Sequence, residues 1–136
     1  MPVFLDSNVF IYAAGAESPN KAACVDLLRR VAAGDLEATT SVEVIQELHH
    51  VFRRRGRLAE GVGLGREVTR LFPGVLSITR ADILRSGDIL MTHPQLSPRD
   101  ALHAATALNN GIVVIVSADV DLDRVDGVTR LDPSAA

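Results

Sequence analysis

From Ser97 the chain runs Ser97-Pro98-Arg99-Asp100-Ala101-Leu102-His103-Ala104-Ala105-Thr106-Ala107 and, after Gly111, continues Ile112-Val113-Val114-Ile115-Val116-Ser117-Ala118-Asp119. Ser97 with Pro98 and Asp100 forms a capping-box-like start to an alanine-rich helix that ends before Gly111. The β-branched run that follows has the apolar character of a strand buried on both faces, and it ends at Ser117 and Asp119. Val3-Phe4-Leu5 repeats this pattern at the other end of the chain and ends at Asp6.

Working outward, Ser18-Pro19 reads as a helix start, with Ala23, Leu27, Leu28 and Val31 as the apolar face and Gly34 as the stop. Glu37 to Thr40 reads as a short strand. The spacing of Val44, Leu48, Val51 and Phe52 predicts a helix from Val42 to Arg54. A helix from Leu58 to Phe72 is weakened by Gly61, Gly63 and Gly65, each costing about 1 kcal/mol relative to alanine. Pro73-Gly74 breaks the chain, Val75 to Ile78 reads as a strand, and a helix from Arg80 to Thr92 follows. A polar segment from Asp119 to Asp126 leads to a last strand near Val128 to Leu131. Strands alternating with helices imply an α/β sandwich on a mainly parallel sheet.

The 136 residues are 47% hydrophobic and 23% charged, which suits one folded unit rather than a disordered chain. That unit is expected over residues 1–133, with 134–136 as a short tail. No apolar run is long enough to span a membrane, and Met1 passes into Val3-Phe4-Leu5 without a basic leader, so a cytoplasmic location is expected. Cys24 is the single cysteine, which excludes an internal disulfide and a cysteine-built zinc site and suits a buried thiol. A net charge of −3 argues against nucleic-acid binding through global charge, though not against a local basic patch.

In an open α/β sheet the ligand crevice lies beyond the C-terminal ends of the strands. Asp6 and Asp119 occupy such ends, and Asp100 opens the helix that leads into the strand before Asp119. Glu47 or Glu43, one turn apart in the Val42–Arg54 helix, can supply a fourth carboxylate. Each has an ordinary alternative: Asp6 and Asp100 as helix caps, the glutamates as a solvated face, and Asp119, Asp121 and Asp123 as a polar turn. If they converge, two carboxylates about 4 Å apart repel by roughly 4 kcal/mol at an effective dielectric near 20. A hard divalent cation, Mg²⁺ or Mn²⁺, compensates several oxygen ligands in a chain with no cysteine pair. Such an ion can orient water and neutralise charge on a phosphodiester, so phosphodiester hydrolysis is the reaction class. His49 and His50 point apart on a helix and make no zinc motif, and His103, three residues after Asp100, reads as a helix-face histidine.

Asp6-Ser7-Asn8 after an opening strand, Glu47-Leu48 in an early helix, the run from Leu96 to Ala107, and Ile115-Val116-Ser117-Ala118-Asp119 together resemble the PIN-domain family. Within that family the chain is most similar to VapC toxins of toxin–antitoxin modules. The resemblance extends from the first strand to Leu131-Asp132-Pro133. It implies a PIN-like three-layer α/β/α sandwich and a metal-dependent endoribonuclease. It further implies Asp6, Glu47, Asp100 and Asp119 as the acidic quartet, with Asp6, Asp100 and Asp119 on Mg²⁺ or Mn²⁺. Asn8 and Ser117 match supporting polar positions. Glu43 competes with Glu47, and Asp121 or Asp123 could share metal binding with Asp119. A homodimer and an inhibiting antitoxin, whose C-terminal segment occupies the cleft, are also implied.

RNA approaching an acidic site needs basic residues to frame it. Arg53, Arg54, Arg55 and Arg57 are the densest cluster, and Arg99 beside Asp100 is a second candidate for phosphate contact; the cluster equally suits a helix end, where cations complement the dipole. With Tyr12 the single tyrosine and no tryptophan, extensive base stacking is not expected. Two other classes of function are open to this sequence. One is a catalytically silent PIN-like RNA-binding or protein-interaction module. The other is a phosphoacceptor signalling domain, which requires a lysine near the acids, whereas Lys21 sits in an early helix.

Overall fold

The computed structural model describes residues 1–136. Strand β1 (Val3–Leu5) leads into α1 (Ser7–Ala14) and α2 (Lys21–Ala32), then β2 (Ala38–Thr39). Four helices follow, α3 (Val42–Arg54), α4 (Leu58–Leu71), α5 (Arg80–Thr92) and α6 (Pro98–Asn109), before β3 (Val114–Val116), a 3₁₀ turn over Val120–Arg124 and β4 (Thr129–Leu131). The strands form one sheet in the order β2-β1-β3-β4, and every pairing is parallel. The crossover from β1 to β2 and that from β2 to β3 run in opposite directions across the sheet. Right-handedness of both therefore puts their helices on opposite faces and gives an α/β/α sandwich.

β1 and β3 lie at the centre, with Leu5 opposite Val116. Phe4, Leu5, Ile115 and Val116 are fully buried, and the core extends from them to Val9, Leu27, Val44, Leu48, Ala101 and Ala104. Cys24 belongs to this core, and burial, with the charge of Asp132 adding to it, pushes its thiol up to about 11. At the chain's end, Arg30 Nη2 donates to the Ala136 carbonyl at 2.7 Å, which docks the tail on α2.

Several local expectations change. The helix expected from Ser18-Pro19 begins at Lys21 with Asn20 as N-cap, because Lys21 N donates to the Ser18 carbonyl and closes a turn first. The strand expected at Val75–Ile78 shrinks to a single parallel bridge between Ser41 and Leu76. Leu76 N donates to the Thr40 carbonyl and Val42 N to the Leu76 carbonyl, but by Thr79 the chain is already capping α5. The first strand of the Ile112 run starts two residues late, at Val114, since Ile112 N closes the end of α6 on the Ala107 carbonyl. The polar segment after Asp119 is a 3₁₀ turn capped by the Asp119 side chain.

Candidate active site

The strand order reverses direction between β1 and β3, with β2 lying outside β1 and β4 outside β3. This is the point where a parallel sheet leaves a crevice at its C-terminal edge. Asp6 stands there directly after β1 and Ser117 directly after β3. Asp6 caps α1, accepting from Ser7 N at 2.7 Å, and is 3% exposed. Ser117 Oγ donates to Asp6 Oδ2 at 2.7 Å and accepts from Asn8 Nδ2 at 2.9 Å and from Asp119 N at 3.0 Å. Asn8 completes the link, with Nδ2 3.3 Å from Asp6 Oδ2 and Oδ1 accepting from Ala118 N at 3.2 Å. The two supporting polar residues expected from the sequence thus tie Asp6 to the β3 end.

Glu47 approaches from the middle of α3 and Asp100 from the first turn of α6. Glu47, Asp100 and Asp119 line a cleft of about 690 Å³, together with Glu43, Arg99, Ser97 and the apolar Ile83, Leu90 and Leu102. Asp6 lies beneath them, near enough that its charge raises the pKa of Asp100 and that of Glu47 raises its own. The four expected acids are therefore brought together from four separate segments.

Between the two glutamates the geometry discriminates. Glu47 Oε1 lies 2.9 Å from His103 Nε2, and the same nitrogen is 3.7 Å from Asp6 Oδ1. Glu43 instead lies 3.6 Å from Arg99 Nε at the cleft wall. Asp123 is turned away to an ion pair with Arg130 at 2.8 Å, and Asp121 is exposed, its backbone N–H donating to Asp119 Oδ1, which caps the 3₁₀ turn.

His103 departs from the helix-face reading. It is 0% exposed, and its Nε2, Glu47 and Asp6 offer ligand atoms all within 4.8 Å of one another. The missed signal is its place among Ala101, Ala104, Ala105 and Ala107, all buried, which marks residue 103 as inward-facing. Ring–ring contact with Phe4, centroids 6.0 Å apart, seats the imidazole over β1.

The electrostatics follow from burial and crowding. Burial, reinforced by adjacent Asp119 and the charge of Asp6, pushes Asp100 up to about 8. Burial also raises Asp6, against the opposing pull of His103 and Ser117. Burial would raise Glu47 as well, but the hydrogen bond and charge of His103, joined by Ser7 and the charge of Arg99, hold Glu47 below the usual carboxylate range. For His103 burial favours the neutral ring, yet Glu47, Asp6 and Asp100 together lift it above its ordinary value. Oxygen donors in this number, with no thiolate, fit a hard divalent cation.

The basic candidates divide. Arg99 lies in the cleft wall, between Glu43 and Glu47. Arg53, Arg54 and Arg55 end α3, exposed and outside the cleft lining, and the Arg55 guanidinium, like that of Arg57, stacks 5.7 Å from the Phe52 ring. Lys21 donates to the Gly15 carbonyl at 2.7 Å, away from the acids, which removes the lysine a phosphoacceptor pocket requires.

The family model for the PIN domain matches residues 3–128. The chain is 34% identical to Ribonuclease VapC7 of Mycobacterium tuberculosis, over 98% of this chain and 93% of that protein. Among solved structures it resembles DNA-bound VapBC from Salmonella typhimurium, with a TM-score of 0.73 and 18% identity over 98% of this chain and 99% of that one. It also resembles VapC20 of M. tuberculosis, described as a sarcin–ricin loop cleaving toxin, with a TM-score of 0.70 and 19% identity over 93% and 98% of the two chains. No helix is long and apolar enough to cross a membrane.

Proposed function

Since the chain belongs to the PIN-domain family, on the side of the VapC ribonucleases, we propose that it is a metal-dependent endoribonuclease and the toxin partner of an antitoxin. The observation that carries this reading is the meeting of Asp6, Glu47, Asp100 and Asp119 at the reversal point of the sheet. We assign Asp6, Asp100 and Asp119 to the ion, Mg²⁺ or Mn²⁺, and Glu47 to the catalytic set beside it. When bound, such an ion supplies an activated water and neutralises charge building on the phosphodiester.

The chain's own residues do the rest. Ser117 and Asn8 hold the Asp6 carboxylate through Oδ2, while Oδ1 accepts from Ser7 N and approaches His103 Nε2. Arg99 meets a phosphate once the RNA strand competes for it, because Glu43 and Glu47 hold it only at 3.6 and 4.0 Å. Arg53, Arg54 and Arg55 extend the basic track beyond the helix end, where phosphates further along the strand would pass. The apolar wall of Ile83 and Leu90 suits an antitoxin segment laid in the cleft, and further exposed side chains such as Leu84 and Met91 suit a partner surface, including a second copy in a homodimer. Residues 1–133 act as the functional unit, with 134–136 as a tail, in the cytoplasm, where an RNA substrate is found.

The test is cleavage of RNA by the purified protein with Mg²⁺ or Mn²⁺, beside Asp6→Asn and Asp100→Asn. Both variants are expected to keep the wild-type circular dichroism and to lose cleavage. Undiminished metal-dependent cleavage by both would refute the assignment. Calorimetric titration with Mn²⁺ separates it from a silent module, for which no binding through these acids is needed.

A further inference from the structure

His103 is fully buried, yet the chemistry above gives it no task. An imidazole taken out of water costs free energy unless its nitrogens are satisfied, so an apolar residue would serve packing alone at lower cost. One nitrogen of His103 is in fact unsatisfied: Nδ1 has no hydrogen-bond partner, and neither has Thr106 Oγ1 one turn further along α6. The ring's whole polar return therefore comes through Nε2, which meets Glu47 Oε1 at 2.9 Å and approaches Asp6 Oδ1 at 3.7 Å.

Glu47 needs such a restraint. It sits at the end of a side chain with three rotatable bonds, on α3, whereas Asp6 follows β1 and Asp100 belongs to α6. Its remaining oxygen lies 4.0 Å from Arg99 Nη1, on the open side of the cleft. Without His103, Glu47 would be left to the Ser7 hydroxyl and to Arg99, whose charge pulls it toward the open side of the cleft.

We propose that His103 is a positioning residue of this site: Nε2–H bridges α6 to α3 and holds the Glu47 carboxylate beside that of Asp6, at a spacing one cation can span. An ionised carboxylate only accepts hydrogen bonds, so Nε2 carries the proton. His103 acts through Glu47 and is not itself a ligand. The inference rests on the metallonuclease reading of the same cleft and extends it in two respects: Glu47 joins Asp6 in facing the ion, and His103 is the residue that keeps it there.

Two measurements test it. In ¹⁵N-labelled full-length wild-type protein without metal, long-range ¹H–¹⁵N spectra should find the His103 proton on Nε2, and it should stay there when Mg²⁺ is added. A bare Nε2 in the metal-free protein, or loss of its proton on adding Mg²⁺, overturns the proposal. In calorimetric titrations with Mn²⁺, His103→Gln, which keeps an N–H at similar reach, should bind within about threefold of wild type, while His103→Leu should bind about 10- to 100-fold more weakly. Combined with Glu47→Gln, His103→Leu should cost no further affinity; combined with Asp119→Asn it should keep its full cost. A residue that merely filled the core would weaken binding equally in both backgrounds, or lower the melting temperature without touching affinity, and either result defeats the proposal. Equal affinity in His103→Leu and wild type defeats it while leaving the nuclease reading in place, whereas absence of Mn²⁺ binding by the wild type removes that reading too. Should the leucine variant not fold, the wild-type spectra decide.

Discussion

Ser117 has one hydroxyl, with one proton to donate and two lone pairs to accept, and all three are used: toward Asp6, from Asn8 and from the Asp119 backbone. In Ser117→Ala the buried Asp6 keeps Ser7 N and loses its shortest side-chain donor, so its charged form is less well supported. Stability should fall by about 1–3 kcal/mol, the usual cost of stranding a buried polar group, and RNA cleavage by about 10- to 100-fold. Urea unfolding and initial cleavage rates check the two effects; a variant with wild-type activity would show that Asp6 needs no help from β3. At this scale the sequence was informative about kind and poor about direction. Asp6, Ser117 and Asp119 were legible because strand ends announce themselves through apolar runs that stop at polar residues; Asn8, and the supporting role of Ser117, came only from the family resemblance. The rivalry of Glu43 and Glu47 was not, because both lie on plausible faces of one helix. What sets Glu47 apart in the structure is His103 on another element, whose burial only the packing of α6 reveals.

Glycines make the case at the scale of elements. Intrinsic propensity counts Gly61, Gly63 and Gly65 alike against α4, yet the helix runs unbroken from Leu58 to Leu71. A Cβ on Gly61 would lie 2.6 Å from Phe52 Cβ and 3.0 Å from the Leu48 carbonyl oxygen; on Gly65 it would lie 2.9 Å from His49 Nε2 and 3.1 Å from Ile45 Cγ2. Both therefore let α4 press against α3, and close packing recovers what propensity loses. Gly63 has nothing within 4 Å of the same position. Gly63→Ala should thus stabilise the protein by about 0.5–1 kcal/mol, while Gly61→Ala should destabilise it by about 1–3 kcal/mol, because backbone and the root of a side chain cannot step aside. Chemical denaturation compares them directly, and two shifts of the same sign would contradict the packing. The same competition explains which boundaries could be read. The limits of α3 and α5 coincide with those expected because Ser41 and Thr79 cap them locally, Thr79 with Asp82 in a full capping box. The expected strand at Val75–Ile78 failed because strand length depends on how far a neighbour extends, and β2 offers only Ala38–Thr39.

For the molecule as a whole, the fold gathers negative charge at one edge of its sheet and carries that cost until something neutralises it. Asp100 records the cost, its carboxyl raised from an ordinary 3.8 to about 8 by burial, by Asp119 and by Asp6. For a group raised on folding, its stabilising contribution is complete below the ordinary value and is lost as pH climbs toward the folded one. The metal-free protein should therefore melt progressively lower between about pH 4 and pH 8 through this group. Asp100→Asn should flatten that slope and melt higher than wild type at pH 7.5 in the presence of a chelator, even though it has lost cleavage. A divalent ion should reverse the order: at a concentration 100 times its dissociation constant it adds about 2.7 kcal/mol to the wild type. For a chain of this length that is a rise on the order of 10 °C, and Asp6→Asn should show little of it. Scanning calorimetry with chelator and with Mn²⁺ reads all of these. An Asp100→Asn protein that melts no higher than wild type without metal would mean that the carboxylates are not in conflict. The reason for placing an ion among them would then be gone.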